Sequence, residues 1–149
     1  MVYSLEDVQC TLAGPGGLVP LGAGAAIAKE GISFEFVEDK DAMIVGGDGS
    51  VVHSLHPSNA ATVTVRLMKT SPNNALLSAL YNLQISSTLL WGQNVITITN
   101  PITGDDVPCS SVAFKKHTGL TWSEDPGMNE WVFNAGHCSP LLGIGFGAL

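Results

Sequence analysis

The sequence predicts a mainly β fold, an antiparallel β-sandwich or partly closed barrel with one flanking α-helix. Several short stretches alternate apolar and polar residues, which is typical of half-buried strands. Turn-forming clusters separate these stretches at short spacing, and only residues 70–91 have helical periodicity. Because no linker or internal repeat interrupts the 149 residues, we expect one domain, residues 1–149.

The helix is the element with the clearest signals. Ser71 can cap it and Pro72 suits the first helical position, where its missing N–H costs nothing. We expect the helix to end between residues 84 and 91, before Gly92. Its apolar stripe comprises Leu76, Leu77, Ala79, Leu80 and Leu83. A helix this short is marginal alone, so the stripe should pack on the sheet.

Strands are predicted on both sides of the helix. The alternating stretches are residues 8–12, 18–21, 32–37, 61–68, 94–99, 107–116 and 130–137. Residues 13–17 and 100–106 are rich in turn formers and join neighbouring strands. Residues 42–50 run from an apolar segment into glycines, which predicts a hairpin or an extended arm, whereas residues 51–59 have weak periodicity and are predicted to be a loop.

Composition limits the possible partners. Hydrophobic residues make up 45% and charged residues 13%, so much of the surface is uncharged, as in a subunit that becomes buried on assembly. The formal net charge is −7 and Arg66 is the single arginine. A surface of this charge repels nucleic acid rather than binding its phosphates.

The cysteines and the terminal segments indicate a soluble protein. Cys10, Cys109 and Cys138 are few and scattered, so we expect reduced thiols in a cytosolic place of assembly. The first ten residues lack the basic and apolar regions of a signal peptide. Residues 12–28 contain two prolines and several glycines and are short for a membrane helix.

No stretch has the signature of an active or metal site. His53 with His56, and His137 with Cys138, lack the paired spacing of zinc ligands. The sequence contains no G-x-S-x-G elbow, and the small residues 22–26 are followed by Ile27 where a dinucleotide motif needs glycine. We therefore expect no enzyme activity, no metal and no cofactor.

Several runs together carry a resemblance that covers nearly the whole chain. They are residues 37–41, 47–50, 53–56, 62–84, 111–116 and 130–136. In these runs the chain resembles the tail tube protein of contractile-tailed (myovirus-type) bacteriophages, whose fold is similar to that of the type VI secretion tube subunit.

The resemblance implies a structural virion protein. It implies a helix-flanked β-sandwich assembled into stacked hexameric rings, with DNA ejected through the lumen and a contractile sheath outside. The implied partners are further copies of the chain, the sheath, the baseplate and the tail terminator. It places the protein in the virion tail, and in the host cytoplasm during assembly, and it brings no catalytic residues.

Two sets of residues are candidates for roles in such a tube. Acidic residues on the long strands and their turns are expected to line the lumen, and they are Glu35, Asp39, Asp41 and Asp48. Residues of the arm and of the apolar C-terminal run are expected to contact other subunits, and they are Lys40, Met43, Ile44, Leu141, Leu142, Ile144 and Phe146.

Two alternatives fit the same alternation. A monomeric ligand-binding β-barrel would have an internal pocket. Another tail or head-completion protein with a related fold would form a single ring that does not polymerise.

Overall fold

The computed structural model describes residues 2–22 and 27–144, with the side chain of Glu30 left out. A 3₁₀ turn at Leu5–Asp7 precedes the first strand. The strands are β1 Gln9–Gly14, β2 Gly17–Pro20, β3 Ile27–Phe36, β4 Asp41–Val45, β5 Val51–Leu55, β6 Ala61–Met68, β7 Asn94–Asn100, β8 Asp105–Lys116 and β9 Met128–Cys138. The α-helix, α1, spans Asn73–Gln84 between β6 and β7.

Seven of the strands form one antiparallel sheet in the order β2-β1-β7-β8-β9-β6-β3. This sheet curls into a half-barrel, and β4 and β5 form a separate two-stranded hairpin. The mainly β prediction with one helix is confirmed. Of the two predicted forms, the partly closed barrel describes the main sheet.

The core lies on the inner side of the curl. Strand β6 shows why, because Ala61, Val63, Val65 and Leu67 alternate with polar neighbours and are each at most 1% exposed. Phe114 from β8 packs its ring against Phe133 and Trp131 from β9, at centroid distances of 4.9 and 5.9 Å. These large rings fill the middle of the half-barrel.

Helix α1 starts later and presents a different face from the one expected. Pro72 precedes the helix rather than opening it, and the Ser71 hydroxyl accepts a hydrogen bond from the backbone N–H of Asn73 at 3.3 Å. The buried residues are Asn73, Leu77, Leu80 and Gln84. Leu77 and Leu80 are buried as predicted, whereas Leu76, Ala79 and Leu83, which we also assigned to the buried stripe, are exposed.

Buried amides explain why the helix turns a different set of residues toward the sheet than the one predicted. Gln84 and Asn94 exchange two side-chain hydrogen bonds of 2.7 Å each, and Asn73 donates to the backbone oxygen of Pro20 at 2.7 Å. Because each amide has a partner, its burial carries no large penalty. The pattern of apolar residues alone therefore predicts the wrong residues at the edges of the buried stripe.

Residues 51–55 form strand β5 and not a loop. Their partner is β4, with Val45 opposite Val51 and Asp41 opposite Leu55. The predicted arm at residues 42–50 is therefore one half of a hairpin whose other half was missed.

The expectation of reduced thiols is wrong for two of the three cysteines. Cys109 and Cys138 lie opposite each other on β8 and β9, with Cα atoms 4.3 Å apart, and form a disulfide. Their sequence separation of 29 residues hid the pairing, which antiparallel register brings about. Cys10 is a free, buried thiol.

Among residues 2–22 and 27–144, no helix is long and apolar enough to span a membrane.

Candidate assembly surface

The β4–β5 hairpin is built from two five-residue strands joined by the turn at residues 46–50. Paired residues share a face, so Asp41, Met43 and Val45 lie on one side with His53, while Ile44 and Val52 lie on the other. At the turn, Gly49 has a φ of +88°, a conformation that glycine adopts without strain.

Both faces of this hairpin are exposed and apolar. The exposed fractions range from 49% to 83% for Met43, Ile44, Val45, Val51, Val52 and Leu55. A two-stranded hairpin without packing partners is marginally stable in water, and apolar groups of this size favour burial. These features indicate a surface that another molecule covers.

Lys40 anchors the base of the hairpin within its own chain. Its ammonium donates to the backbone oxygens of His56 and Ser58 at 3.2 and 2.6 Å, and to Oδ1 of Asn59 at 2.7 Å. The backbone N–H of His56 donates to the oxygen of Lys40 at 2.8 Å. The assignment of Lys40 to a subunit contact stays a prediction, but its three donors already have intrachain acceptors.

The acidic residues expected in the lumen lie in different places. Glu35 is on β3 in the main sheet, opposite Thr62 and on the outer side of the curl. Asp39 is in the connection that leads to the hairpin, and Asp41 contacts Nδ1 of His53 at 3.0 Å. Of these four residues, only Asp39, Asp41 and Asp48 belong to the same part of the fold, which is the hairpin and its base.

Asp48 organises the tip of the hairpin. Its Oδ1 accepts hydrogen bonds from the Ser50 hydroxyl at 2.6 Å and from the Ser50 backbone N–H at 3.0 Å. These bonds, led by the one from the hydroxyl, lower the pKa of the Asp48 carboxyl. The two bonds to Ser50 therefore favour the ionised form of Asp48.

The C-terminal candidates lie beside the start of β8. Leu141 exchanges two backbone hydrogen bonds of 2.8 Å with Asp106, and the Gly143 N–H donates to the Asp105 carboxylate at 3.1 Å. The side chains of Leu141, Leu142 and Ile144 are each about 70% exposed. Phe146 lies outside the described residues.

The outer face of the sheet is polar and was not singled out in the sequence. It carries five half-buried threonines on three strands, the neighbouring β1 and β7 and the more distant β6, together with exposed Ser33 and Asn134. The threonines are Thr11, Thr62, Thr64, Thr97 and Thr99. The lone arginine, Arg66, is on this face and bonds to Ser33 at 2.8 Å and to Glu130 at 3.4 Å. The alternation of the strands contained this signal, because the threonines are the outward half of each pattern.

No metal-binding arrangement appears in the described part of the chain. Within it, no three histidine, cysteine or acidic side chains are grouped in a way that could hold a metal ion.

Solved structures of similar fold come from contractile injection machines. The chain aligns with the sheath–tube complex of the extracellular contractile injection system PVC in its extended state, with a TM-score of 0.53, 14% identity and coverage of 90% of this chain and 88% of that one. It also aligns with the tube-terminating cap of the anti-feeding prophage, with a TM-score of 0.54, 13% identity and coverage of 95% and 93%. For the sheath/tube terminator of PVC the TM-score is 0.56, the identity 12% and the coverage 95% and 97%. At such identities the likeness shows a shared fold.

Sequence comparison gives the family. No curated protein matches the chain. Residues 1–143, however, match the family described as the bacteriophage PhiTE tail tube protein, which spans all of the strands and the helix. The chain therefore belongs to the bacteriophage PhiTE tail tube protein family, and it is a structural subunit of a phage tail tube.

Proposed function

We propose that the subunit assembles into hexameric rings that stack into a tube, and that DNA leaves the virion through its lumen. The observation that carries the proposal is the β4–β5 hairpin, which exposes apolar side chains on both faces. A subunit that stayed monomeric would leave this surface in water, which favours aggregation. Burial between copies removes that cost and supplies a driving force for assembly.

We assign the threonine-rich outer face of the sheet to the lumen. A conduit for DNA must not hold phosphates, because each basic contact would bind the polymer through release of counterions. Threonine hydroxyls hydrate the wall without attracting the polyanion, and Glu35 on the same face repels it. Arg66, also on this face, is paired with Glu130. Asp39, Asp41 and Asp48 lie on the hairpin and its base, so we place them at the rim where one ring meets the next.

We further propose a contractile sheath, a baseplate and a terminator as protein partners. The structures of similar fold include a sheath–tube complex and a tube terminator. The exposed leucines at 141 and 142 and Ile144, which lie away from the sheet core, are the surface that we assign to contacts with other subunits.

The assembly proposal is tested by Ile44→Asp. Because Ile44 is 65% exposed, the change should leave the folded subunit intact while placing a charge in the buried interface of the tube. We expect wild-type protein to form hollow tubes by negative-stain electron microscopy, and the variant to sediment as rings or monomers at the same concentration.

A matched control comes from Leu89→Asp. Leu89 is 83% exposed in the loop after α1, outside the hairpin. This variant should form tubes like the wild type, and thermal unfolding should confirm that both variants are folded. Tubes of normal length from a folded Ile44→Asp protein would overturn the role of the hairpin.

A second candidate function is that of a ring at the end of a tube. The cap and the terminator align with the chain at TM-scores of 0.54 and 0.56, as well as the sheath–tube complex does. Such a protein would form single rings that do not extend at any concentration. The family match favours the tube subunit.

The alternative of a ligand-binding barrel has less support. In the described residues, the inside of the half-barrel is filled by core side chains, among them Phe114, Trp131 and Phe133. A cleft of about 560 Å³ lies outside this core, at one end of the sheet.

A further inference from the structure

We propose that an apolar cleft at one end of the sheet receives the β4–β5 hairpin of a second copy of this chain. The inference rests on the proposed stacking of subunits and names the surface that accepts the hairpin.

The cleft has a volume of about 560 Å³ and lies where β3 and β9 begin and β6 ends. Ala28, Met68, Gly127 and Met128 give it an apolar lining, and Lys29 and Lys69 stand at its wall. Met68 and Met128 are each more than 40% exposed. Methionine side chains adapt their shape to an incoming apolar surface, which suits the docking of a hairpin rich in valine and isoleucine.

Because the hairpin and the cleft lie at opposite ends of the sheet, a contact between them joins two copies head to tail. Strand β6 begins at Ala61 beside the hairpin end of β3, and ends at Met68 in the cleft. Its eight residues separate the two ends by roughly 23 Å. A hairpin at one end and its receptor at the other form a heterologous pair of surfaces, which continues from copy to copy instead of closing as a dimer. This is the geometry that a stacked tube requires.

Charge supports the same pairing. Residues 35–48 and 105–106, at the hairpin end, contain seven of the thirteen acidic residues and one of the six basic residues, a formal charge of −6. The basic residues of the cleft end are Lys29, Arg66, Lys69, Lys115 and Lys116. Four acidic residues of β3, β9 and the loop before β9, Glu30, Glu124, Asp125 and Glu130, bring the sum of these nine charges to +1, with Glu6 and Asp7 of the 3₁₀ turn counted at neither end. Unlike ends attract and orient successive copies, and like ends repel.

Within the cleft, the two lysines differ in what holds them. Lys69 donates to the backbone oxygen of Thr121 and lies 5.4 Å from the centroid of the Trp122 ring. The side chain of Lys29 is exposed, and it makes no hydrogen bond or ion pair with any side chain or backbone group that the structure describes. Its ammonium is therefore available to the carboxylates of an incoming hairpin, whose own lysine, Lys40, is engaged by its chain.

Cross-linking of assembled protein tests the contact. The full chain would carry Gly47→Cys at the hairpin turn and Gly127→Cys in the cleft, two positions where an added Cβ meets no atom within 4 Å. The control pairs Gly47→Cys with Gly119→Cys, which is equally open but does not line the cleft. A short bis-maleimide reagent would be added to tubes seen by electron microscopy.

We expect a ladder of multimers on a denaturing gel for the cleft pair and little beyond monomer and dimer for the control. Tubes that form normally but give no ladder, or the same ladder in the control, would overturn the inference and leave the proposed tube standing. Wild-type protein that forms neither rings nor tubes would instead overturn the proposed function, and the inference with it.

A charge variant gives a second test that needs no cross-linker. Lys29→Glu should raise the protein concentration needed for tube formation about tenfold, because it places a carboxylate against the acidic hairpin. Lys115→Glu makes the same charge change at the same end of the sheet but outside the cleft. It should shift the concentration needed for tube formation by less than about twofold. Equal shifts in the two variants would show that net charge, and not the cleft, controls stacking.

Discussion

Two buried amides join the helix to the sheet. The side chains of Gln84 and Asn94 are fully buried and exchange two hydrogen bonds, and Gln84 also donates to the backbone oxygen of Pro15 at 3.2 Å. The neighbouring strand leaves no space beside them, since a Cβ at Gly14 would lie 1.9 Å from Oδ1 of Asn94. Each polar atom that is satisfied in this way fixes the position of α1 along the sheet.

The free thiol of Cys10 predicts how the stability of the subunit depends on pH. Burial raises the pKa of Cys10 from 9.0 to about 12. Between these values the unfolded chain releases a proton that the folded chain keeps, so the free energy of unfolding should fall as pH rises from 9 to 12. The expected loss from this group is about 1.4 kcal/mol per pH unit.

Urea unfolding at several pH values from 8 to 10.5 measures this loss. The Cys10→Ala variant, which lacks the thiol, is the control, and its free energy of unfolding should fall less steeply above pH 9 than that of the wild type. Equal slopes for the two proteins would show that Cys10 does not contribute to the pH dependence.

At the scale of elements, the hairpin is held to the domain through its base. The ammonium of Lys40 joins β4 to the segment between β5 and β6 through three oxygens. Beyond these bonds, the side chains of β4 and β5 are exposed, so the opening of the hairpin depends mainly on its base and its own ladder.

The variant Lys40→Met tests this anchor. Hydrogen exchange of the backbone amides in residues 41–55, measured by mass spectrometry on unassembled protein, should become about three- to tenfold faster, because local opening no longer breaks these bonds. Exchange in β6 and β9 should not change. Lys115→Met removes an exposed lysine elsewhere and serves as the control. Unchanged exchange in residues 41–55 of Lys40→Met would contradict the anchor.

The accuracy of the strand predictions depended on how each strand is buried. Strands β6 to β9 have one inner and one outer face, and their alternation gave bounds within a few residues. Strand β5 was missed because both of its faces are exposed, so Val51 and Val52 stand side by side without a period of two. The helix was found, but its face was misjudged because Asn73 and Gln84 are buried through hydrogen bonds that the sequence does not reveal.

At the scale of the molecule, the candidate site was predicted only in part. Met43 and Ile44 were identified because they precede a glycine-rich turn, and the structure adds Val51, Val52 and Leu55 across the ladder. The cleft at the other end was not foreseen, since it is formed by residues far apart in the sequence, such as Lys29, Lys69 and Gly127. The pairing of Cys109 with Cys138 was hidden for the same reason, because register between distant strands depends on the whole sheet.

The two ends of the sheet give the subunit a direction. One end presents an acidic, apolar hairpin, and the other an apolar cleft with lysines. A ring of such subunits would have two unlike faces, and rings could add only in one orientation. The attraction between charged ends is screened by salt, so stacking should weaken as ionic strength rises, while the apolar contacts persist.

The central claim, that this subunit forms a hollow tube of stacked hexameric rings, is tested most directly by electron microscopy of purified protein over a range of concentrations. The account predicts hollow tubes built of rings, with six-fold symmetry in end views and length that increases with protein concentration. A folded protein that remains monomeric at high concentration, or forms only single rings that never stack, would contradict it.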